Sequence, residues 1–419
     1  MEKFVISGGN KLYGKLTANS AKNSILPLIA ASIICEGVTE IENCPKIKDV
    51  IIMCEILRKI GGKAEFSGDK LILDTTDVFS WELPTDLTGE IRASLFIVGA
   101  LLSRFGYALM QFPGGCKIGE RPVDIHIDGL RCMGATVTCS DELVFNGKNL
   151  KSQTVTLRFP SVGATENLIM SAVKLKGKTV IKNCAKEPEI VDLQNYLNMR
   201  GAKISGAGKD VIEIEGVDKL SSKKVSFTPS IDRIEVGTLL LSASAVGGEL
   251  EFDGEMVKNS YSLMKIFENN ACKIYNNNGN IYNIEFKRRS LGFGKVVTGP
   301  YPDFPTDLQP QLVACACAHT GLTAVEEKVF PERFSYTEQL QLMGANIDLY
   351  KNLCLVEGGN LHGESVVAGD LRGGASLVIA GLVADGETQV KNVGHIDRGY
   401  YKLEEKLTRL GAKIRRERY

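Results

Sequence analysis

One of the eleven cysteines stands in a setting that favours a thiolate. Cys116 lies in the glycine-rich segment GGCKIGERPVD (114–124), beside Lys117, Glu120 and Arg121. Neighbouring cations stabilise the deprotonated sulfur, and a glycine-rich loop exposes it. Most of the other cysteines (35, 44, 54, 132, 139, 184, 272, 315, 317 and 354) sit within apolar segments and read as core thiols. An odd number of cysteines, with no signal peptide in MEKFVISGG, points to reduced thiols in a cytoplasmic protein. Cys315 and Cys317 form a C-x-C in LVACACAH, where helical spacing turns them to different faces. With no second pair beside them they predict packing, and no metal site is expected.

The other chemistry-bearing residues cluster where helices should begin. Six such starts read Ala21-Lys22-Asn23-Ser24, Arg92-Ala93-Ser94, Ser161-Val162-Gly163-Ala164-Thr165, Asp232-Arg233-Ile234-Glu235, Thr306-Asp307-Leu308-Gln309 and Asp370-Leu371-Arg372-Gly373-Gly374. A helix start needs a cap, and each segment offers cap-type residues. It also presents free N–H groups and a positive dipole end, so converging starts make an anion site. Lys22, Arg92 and Arg372 at three of the six favour ligand binding over capping alone.

The elements that position these residues repeat. GGKA, GATV, GAKI, ACKI, GANI and GAKI open at Gly61, Gly134, Gly201, Ala271, Gly344 and Gly411, at steps of 73, 67, 70, 73 and 67 residues. The second triplet copies the first at an offset of 210 residues, which predicts two halves of three units each. In the third unit a helical stretch follows SVGAT and precedes the strand KTVIKN. The helix IVDLQNYLNMR, the C-cap glycine Gly201 and a strand pair complete a βαβαββ pattern. The class is α/β (α+β). Expected boundaries are 21–229 for the first domain and 230–419 for the second.

Fifty basic residues balance fifty acidic ones, so no global field draws nucleic acid or an anionic membrane. The longest apolar run, near Ile25–Ala31, is too short for a membrane span. GFGKVVTG (292–299) looks like a dinucleotide loop but has no helix after it. The four histidines are dispersed; His126 and His395 lie near charged loop residues, where a bonded structural role is the commoner one.

AKNSILPL (21–28), PGGCKIGERPVDIHIDGL (113–130), PSVGATEN (160–167), EPEIVD (187–192), FPTDLQ (304–309), ERFSY (332–336), DLR (370–372) and HIDRGY (395–400) resemble, in order along the whole chain, signature segments of the enolpyruvyl transferase family. The resemblance implies two inverse α/β barrels, each of three units with helices inside and sheets outside, with residues 1–20 joining the second, and an active site in the interdomain cleft. It implies transfer of the enolpyruvyl group of phosphoenolpyruvate to the 3′-hydroxyl of UDP-N-acetylglucosamine, the first committed step of peptidoglycan synthesis. Asp307 matches the residue that holds and deprotonates the hydroxyl, and Cys116 the proton donor and target of fosfomycin. Lys22, Arg121 and Arg398 match a phosphate clamp completed by Arg92 and Arg372. Asn23 and Asp307 match sugar contacts, and Arg121, Pro122, Val123, Asp124, Ile125 and Val329 the nucleotide-sugar site. Ser161 and Gly163, with Arg333 and Asp370, match further substrate-binding positions. No cofactor is implied.

The sequence departs from the family pattern in places. Phe159-Pro160, with Arg158 beyond, replaces a lysine before SVGAT, Phe96 stands where a tryptophan is familiar, and Ser20 where a glycine is. None removes a reacting group. Two other readings remain: the same fold acting on shikimate 3-phosphate, which the cysteine loop disfavours, and an idle paralogue that binds UDP-N-acetylglucosamine and regulates. An intact set of Lys22, Cys116, Arg121, Asp307, Arg372 and Arg398 argues against the second.

Overall fold

Five of the six repeat marks share one backbone device. In the computed structural model, which describes residues 2–112, 123–268, 272–330 and 332–418, Gly61, Gly134, Gly201, Gly344 and Gly411 take φ of 103°, 102°, 93°, 90° and 104°. Each ends the second helix of its repeat with the same bond pair. At Gly201, its N–H donates to Asn198 and that of Ala202 reaches back to Leu197. That pattern closes orphan carbonyls only if the glycine position is left-handed, which explains the residue type. Ala271, the sixth mark, lies outside the described residues.

Six small sheets follow, one per repeat. In the third, Thr154–Thr156 runs parallel to Lys178–Lys182, which pairs antiparallel with Val211–Glu215, and that strand with Lys203–Ser205. Burial alternates along them, with Val155, Ile181, Ile212 and Ile214 inward and charged residues outward, as a sheet with one wet face requires. The same order recurs in four other sheets. Among the described residues the second repeat has three strands, with a parallel bridge from Glu82 to Leu109 where the fourth would lie.

The first helix of each repeat is apolar on all sides, and such a helix must be buried. Residues 164–172 of helix Val162–Ala172 are buried, as is every residue of Gln309–Ala318 and Leu371–Val383. Those last two pack against each other and against Arg233–Val246. Likewise Phe96–Phe105 packs on Lys22–Ser32 and Val162–Ala172. Chain contacts separate the described residues into two units, 20–112 with 123–230, and 2–19 with 231–418. The N-terminal strand Glu2–Ser7 completes the last repeat, lying between Glu387–Lys391 and Lys413–Arg418. No described helix is long and apolar enough to cross a membrane.

Candidate functional site

Six expected helix starts are present, and they solve their caps differently. Ser161, Asp232 and Asp370 accept backbone N–H groups with their own side chains. Asp307 does not cap. It sits in the short turn Thr306–Leu308 ahead of helix Gln309–Ala318, and neither element has a side-chain cap. Its carboxylate bridges two guanidiniums instead: Oδ1 meets Arg333 at 2.8 Å and Oδ2 meets Arg372 at 2.9 Å. Both arginines are buried and Asp307 is partly exposed, at 5%, 3% and 27% of their side chains. The carboxylate is therefore held by two buried cations and remains partly exposed.

Arg372 is set by three contacts. Its N–H and that of Gly373 donate to Asp370 Oδ1 at 2.9 and 3.0 Å, which fixes the first turn of its helix. A side chain at Gly373 would meet Asp370 at 2.6 Å, so the cap requires glycine there. The guanidinium lies over the Tyr400 ring, 5.4 Å from its centre. The Tyr400 hydroxyl in turn bonds Thr238 and Gln311 at 2.8 and 2.9 Å. Burial alone would lower the Arg372 pKa, but Asp307, Tyr400 and Asp232 together outweigh it and the net shift is upward. Arg398 ends the turn Val393–Arg398, half-buried, and its neighbour Asp397 is gripped by Arg416 through both oxygens at 2.7 and 2.8 Å.

The unit of residues 20–112 and 123–230 holds Lys22, Asn23, Arg92, Val123, Asp124, Ile125, Ser161 and Gly163, while Val329 lies in the other unit. Lys22, in the first turn of its helix, pairs with Asp49 at 3.1 Å, with 13% and 6% of the side chains exposed. Asn23 follows it, half-buried. Asp124 opens helix Asp124–Cys132, bonds the N–H of Ile125, and forms an ion pair with Arg158. Arg158 also reaches Asp128 at 2.8 Å. The arginine that precedes Phe159-Pro160 is thus engaged with the segment that the resemblance assigns to the nucleotide sugar. Val123 precedes that helix, and Cys116, Arg121 and Pro122 lie outside the described residues.

His126 is buried and bonded to Asn167. Asn167 Nδ2 donates to Leu95 O and to His126 Nδ1 at 2.9 and 2.8 Å, so the imidazole carries its proton on Nε2. Burial first, then Arg92, push its pKa down to about 3. A Cβ at Gly163 would stand 2.9 Å from the Phe96 ring and 3.0 Å from His126. Gly163, Phe96 and His126 therefore pack at the start of helix Val162–Ala172, and only glycine fits.

Sequence reasoning missed four residues: Asp49, Tyr400, Glu327 and Glu166. Asp49 carried one signal, an acid in the first turn of a helix. Glu166 carried none. Both its carboxyl oxygens are buried without a hydrogen-bond partner among the described residues. Burial pushes its carboxyl well above the ordinary 4.5, and Glu189 and Glu187 add to the rise. A carboxyl raised in the fold stabilises fully below its unfolded value, and that stability is lost as pH climbs toward the folded value. Glu166→Gln should remove this loss. The variant is expected to melt higher than the parent at pH 8 and to differ little at pH 4.5, read by thermal unfolding; an equal shift at both would refute it.

Residues 6–407 match the model of the family described as EPSP synthase (3-phosphoshikimate 1-carboxyvinyltransferase). A UDP-N-acetylglucosamine 1-carboxyvinyltransferase 2 from Caldanaerobacter subterraneus subsp. tengcongensis is 44% identical, with 99% of both chains covered. A UDP-N-acetylglucosamine 1-carboxyvinyltransferase from Halothermothrix orenii is 40% identical, covering 99% of this chain and all of the relative. Among solved structures, the enolpyruvyl transferase NikO from Streptomyces tendae superposes with a TM-score of 0.88 at 25% identity, covering 99% of this chain and 98% of NikO. EPSP synthase from Acinetobacter baumannii has a TM-score of 0.73 at 17% identity over the full length of both, a likeness of fold. The chain belongs to the EPSP synthase family of enolpyruvyl transferases, in the group of the UDP-N-acetylglucosamine 1-carboxyvinyltransferases.

Proposed function

We propose that this chain transfers the enolpyruvyl group of phosphoenolpyruvate to the 3′-hydroxyl of UDP-N-acetylglucosamine and releases phosphate, in the cytoplasm, as the first committed step of peptidoglycan synthesis. Full-length identity of 40–44% to enzymes that bear this activity in their names carries the reading. The partly open carboxylate of Asp307 between two buried guanidiniums supports it.

The chemistry is addition followed by elimination. The hydroxyl oxygen forms a bond to C2 of phosphoenolpyruvate as its proton passes to a base, and C3 takes a proton from an acid. C3 then gives up a proton, the C2–O bond to phosphate breaks, and the double bond reforms. Asp307 is the base in this reading and Cys116 the acid. Lys22, Arg121 and Arg398, with Arg92 and Arg372, neutralise the phosphate and carboxylate through both steps. Asn23 and Asp307 hold the sugar. Val123, Asp124, Ile125 and Val329, with Arg121 and Pro122, form the nucleotide-sugar site, and Ser161 and Gly163 are further substrate-binding positions. Arg333 and Asp370 complete the substrate contacts.

Phosphate release from phosphoenolpyruvate tests this directly, with UDP-N-acetylglucosamine in one tube and shikimate 3-phosphate in another. Release only with the nucleotide sugar is expected. Release only with shikimate 3-phosphate would overturn the acceptor and keep the fold, and none in either would favour a binding paralogue. Fosfomycin should inhibit the parent chain, and Cys116→Asp should lose that inhibition while retaining turnover. An Asp variant still inhibited would refute Cys116 as the target.

A further inference from the structure

Glu327 is wholly buried, yet its carboxylate reaches two segments of the candidate site, the 329–330 loop and the turn at Thr306. Oε1 accepts three donors: the Thr298 hydroxyl at 2.7 Å and the N–H groups of Val329 and Phe330 at 2.8 and 3.0 Å. Oε2 accepts the Thr306 hydroxyl at 2.9 Å. That hydroxyl oxygen also accepts Arg333 Nη1 at 3.0 Å, while Arg333 Nη2 holds Asp307 at 2.8 Å. A chain of polar contacts therefore runs from Glu327 through Thr306 and Arg333 to the Asp307 carboxylate. The carboxylate also stands on a fixed base. Its backbone N–H donates to Asn352 O at 2.8 Å, and Asn352 Nδ2 donates back to Glu327 O at 3.2 Å.

We infer that Glu327 is a positioning residue for the transfer reaction. One oxygen sets the 329–330 loop, and the other sets the turn and the guanidinium that aim Asp307. The inference rests on the proposed function, since it takes Asp307 as the base and Val329 as a nucleotide-sugar contact. Its basis is the division of labour between the two oxygens: three donors converge on one and a single hydroxyl on the other. A group that only filled a hole in the core would not link two separate segments of the site.

That division makes the inference testable. In Glu327→Gln the amide oxygen will turn toward the three donors, leaving the amide N–H₂ facing Thr306. The loop arm is kept, but the Asp307 arm is reversed: the amide donates to the Thr306 oxygen that also takes Arg333, and the hydroxyl proton loses its carboxylate acceptor. The expected result is a kcat lower by about 10²-fold, the scale of an ångström-level misplacement, with KM for UDP-N-acetylglucosamine within about twofold. Thr306→Val cuts the same arm from its other end and should give the same loss. Thr306→Ser restores the hydroxyl and should recover the parent rate. The double variant Glu327→Gln with Thr306→Val should be no slower than the slower single, because both break one connection.

Parent kcat in both single variants, additive losses in the double, or no recovery with Thr306→Ser would each overturn the inference. If Glu327→Gln fails to fold, the Thr306 pair decides alone. Assaying the parent chain alongside separates the two levels: an inactive parent refutes the proposed function, and an active parent with unaffected variants refutes only the role of Glu327.

Discussion

Asp307→Asn is expected to lower kcat by about 10²–10⁴-fold, the range that a positioned general base contributes. The substitution keeps the size of the side chain and one oxygen acceptor, so the amide can still meet one of the two guanidiniums. It cannot take a proton from the sugar hydroxyl at neutral pH. Asp307 has its two oxygens on Arg333 and Arg372, and these arginines hold the carboxylate in a fixed attitude while 27% of it stays exposed. A side chain that is gripped and yet accessible suits a base. The same grip explains why the residue gives no help as a cap to its own helix. KM for phosphoenolpyruvate should change little, since the cations assigned to it remain. Stability should fall modestly: the guanidiniums are buried, but solvent reaches the carboxylate and screens part of the attraction. Steady-state kinetics with circular dichroism on the same preparation checks both. A variant within tenfold of the parent kcat would remove Asp307 from the role of base and leave it a structural ion pair.

The sequence carried the repeat because its device is local. A left-handed position after a helix selects glycine, so Gly61, Gly134, Gly201, Gly344 and Gly411 are visible without any tertiary knowledge. The buried helices were legible for a similar reason: an element apolar all round has only one place to go. Pairings between distant segments were not. Glu2–Ser7 belongs to the last repeat because it pairs with both Glu387–Lys391 and Lys413–Arg418, in the place where the other repeats use their own hairpin strand. Periodicity says nothing about which distant strand fills it. The candidate site divides along the same line. Lys22, Arg92, Asp307 and Arg372 stand at helix starts and could be listed by type and place. Glu327 follows a strand as one acid in the run VEEK, and its importance lies in hydroxyls and amides that come from three loops. No local pattern marks a residue whose partners are chosen by the fold, and Asp124 with Arg158 is another such pair.

Lys406→Met should produce the largest loss of stability, about 3–5 kcal/mol near neutral pH, the cost of stripping a buried ion pair of one partner. Lys406 and Glu235 meet at 2.5 Å with only 10% and 4% of their side chains exposed. Lys406 also donates to Asn19 Oδ1 at 2.6 Å, and the N–H of Asn19 donates to the second oxygen of Glu235 at 2.8 Å. Methionine keeps the aliphatic stem, so the loss reports the ammonium rather than a cavity. Burial already raises the Glu235 pKa, against the opposing pull of Lys406. Without the ammonium the carboxyl must rise further. Below the ordinary value of 4.5 the acid is neutral in both folded and unfolded chains and lacks only a hydrogen bond. As pH climbs through the raised value, the unfolded chain ionises and the folded one resists, so the deficit grows. Urea unfolding of the full chain should therefore show a small difference from the parent at pH 5 and the full difference at pH 8. Adding Glu235→Gln should recover most of it, because the double variant has no charge left to bury. A deficit equal at both pH values and untouched by the second substitution would mean that packing, not charge, binds helix Leu403–Arg409 to the start of Arg233–Val246.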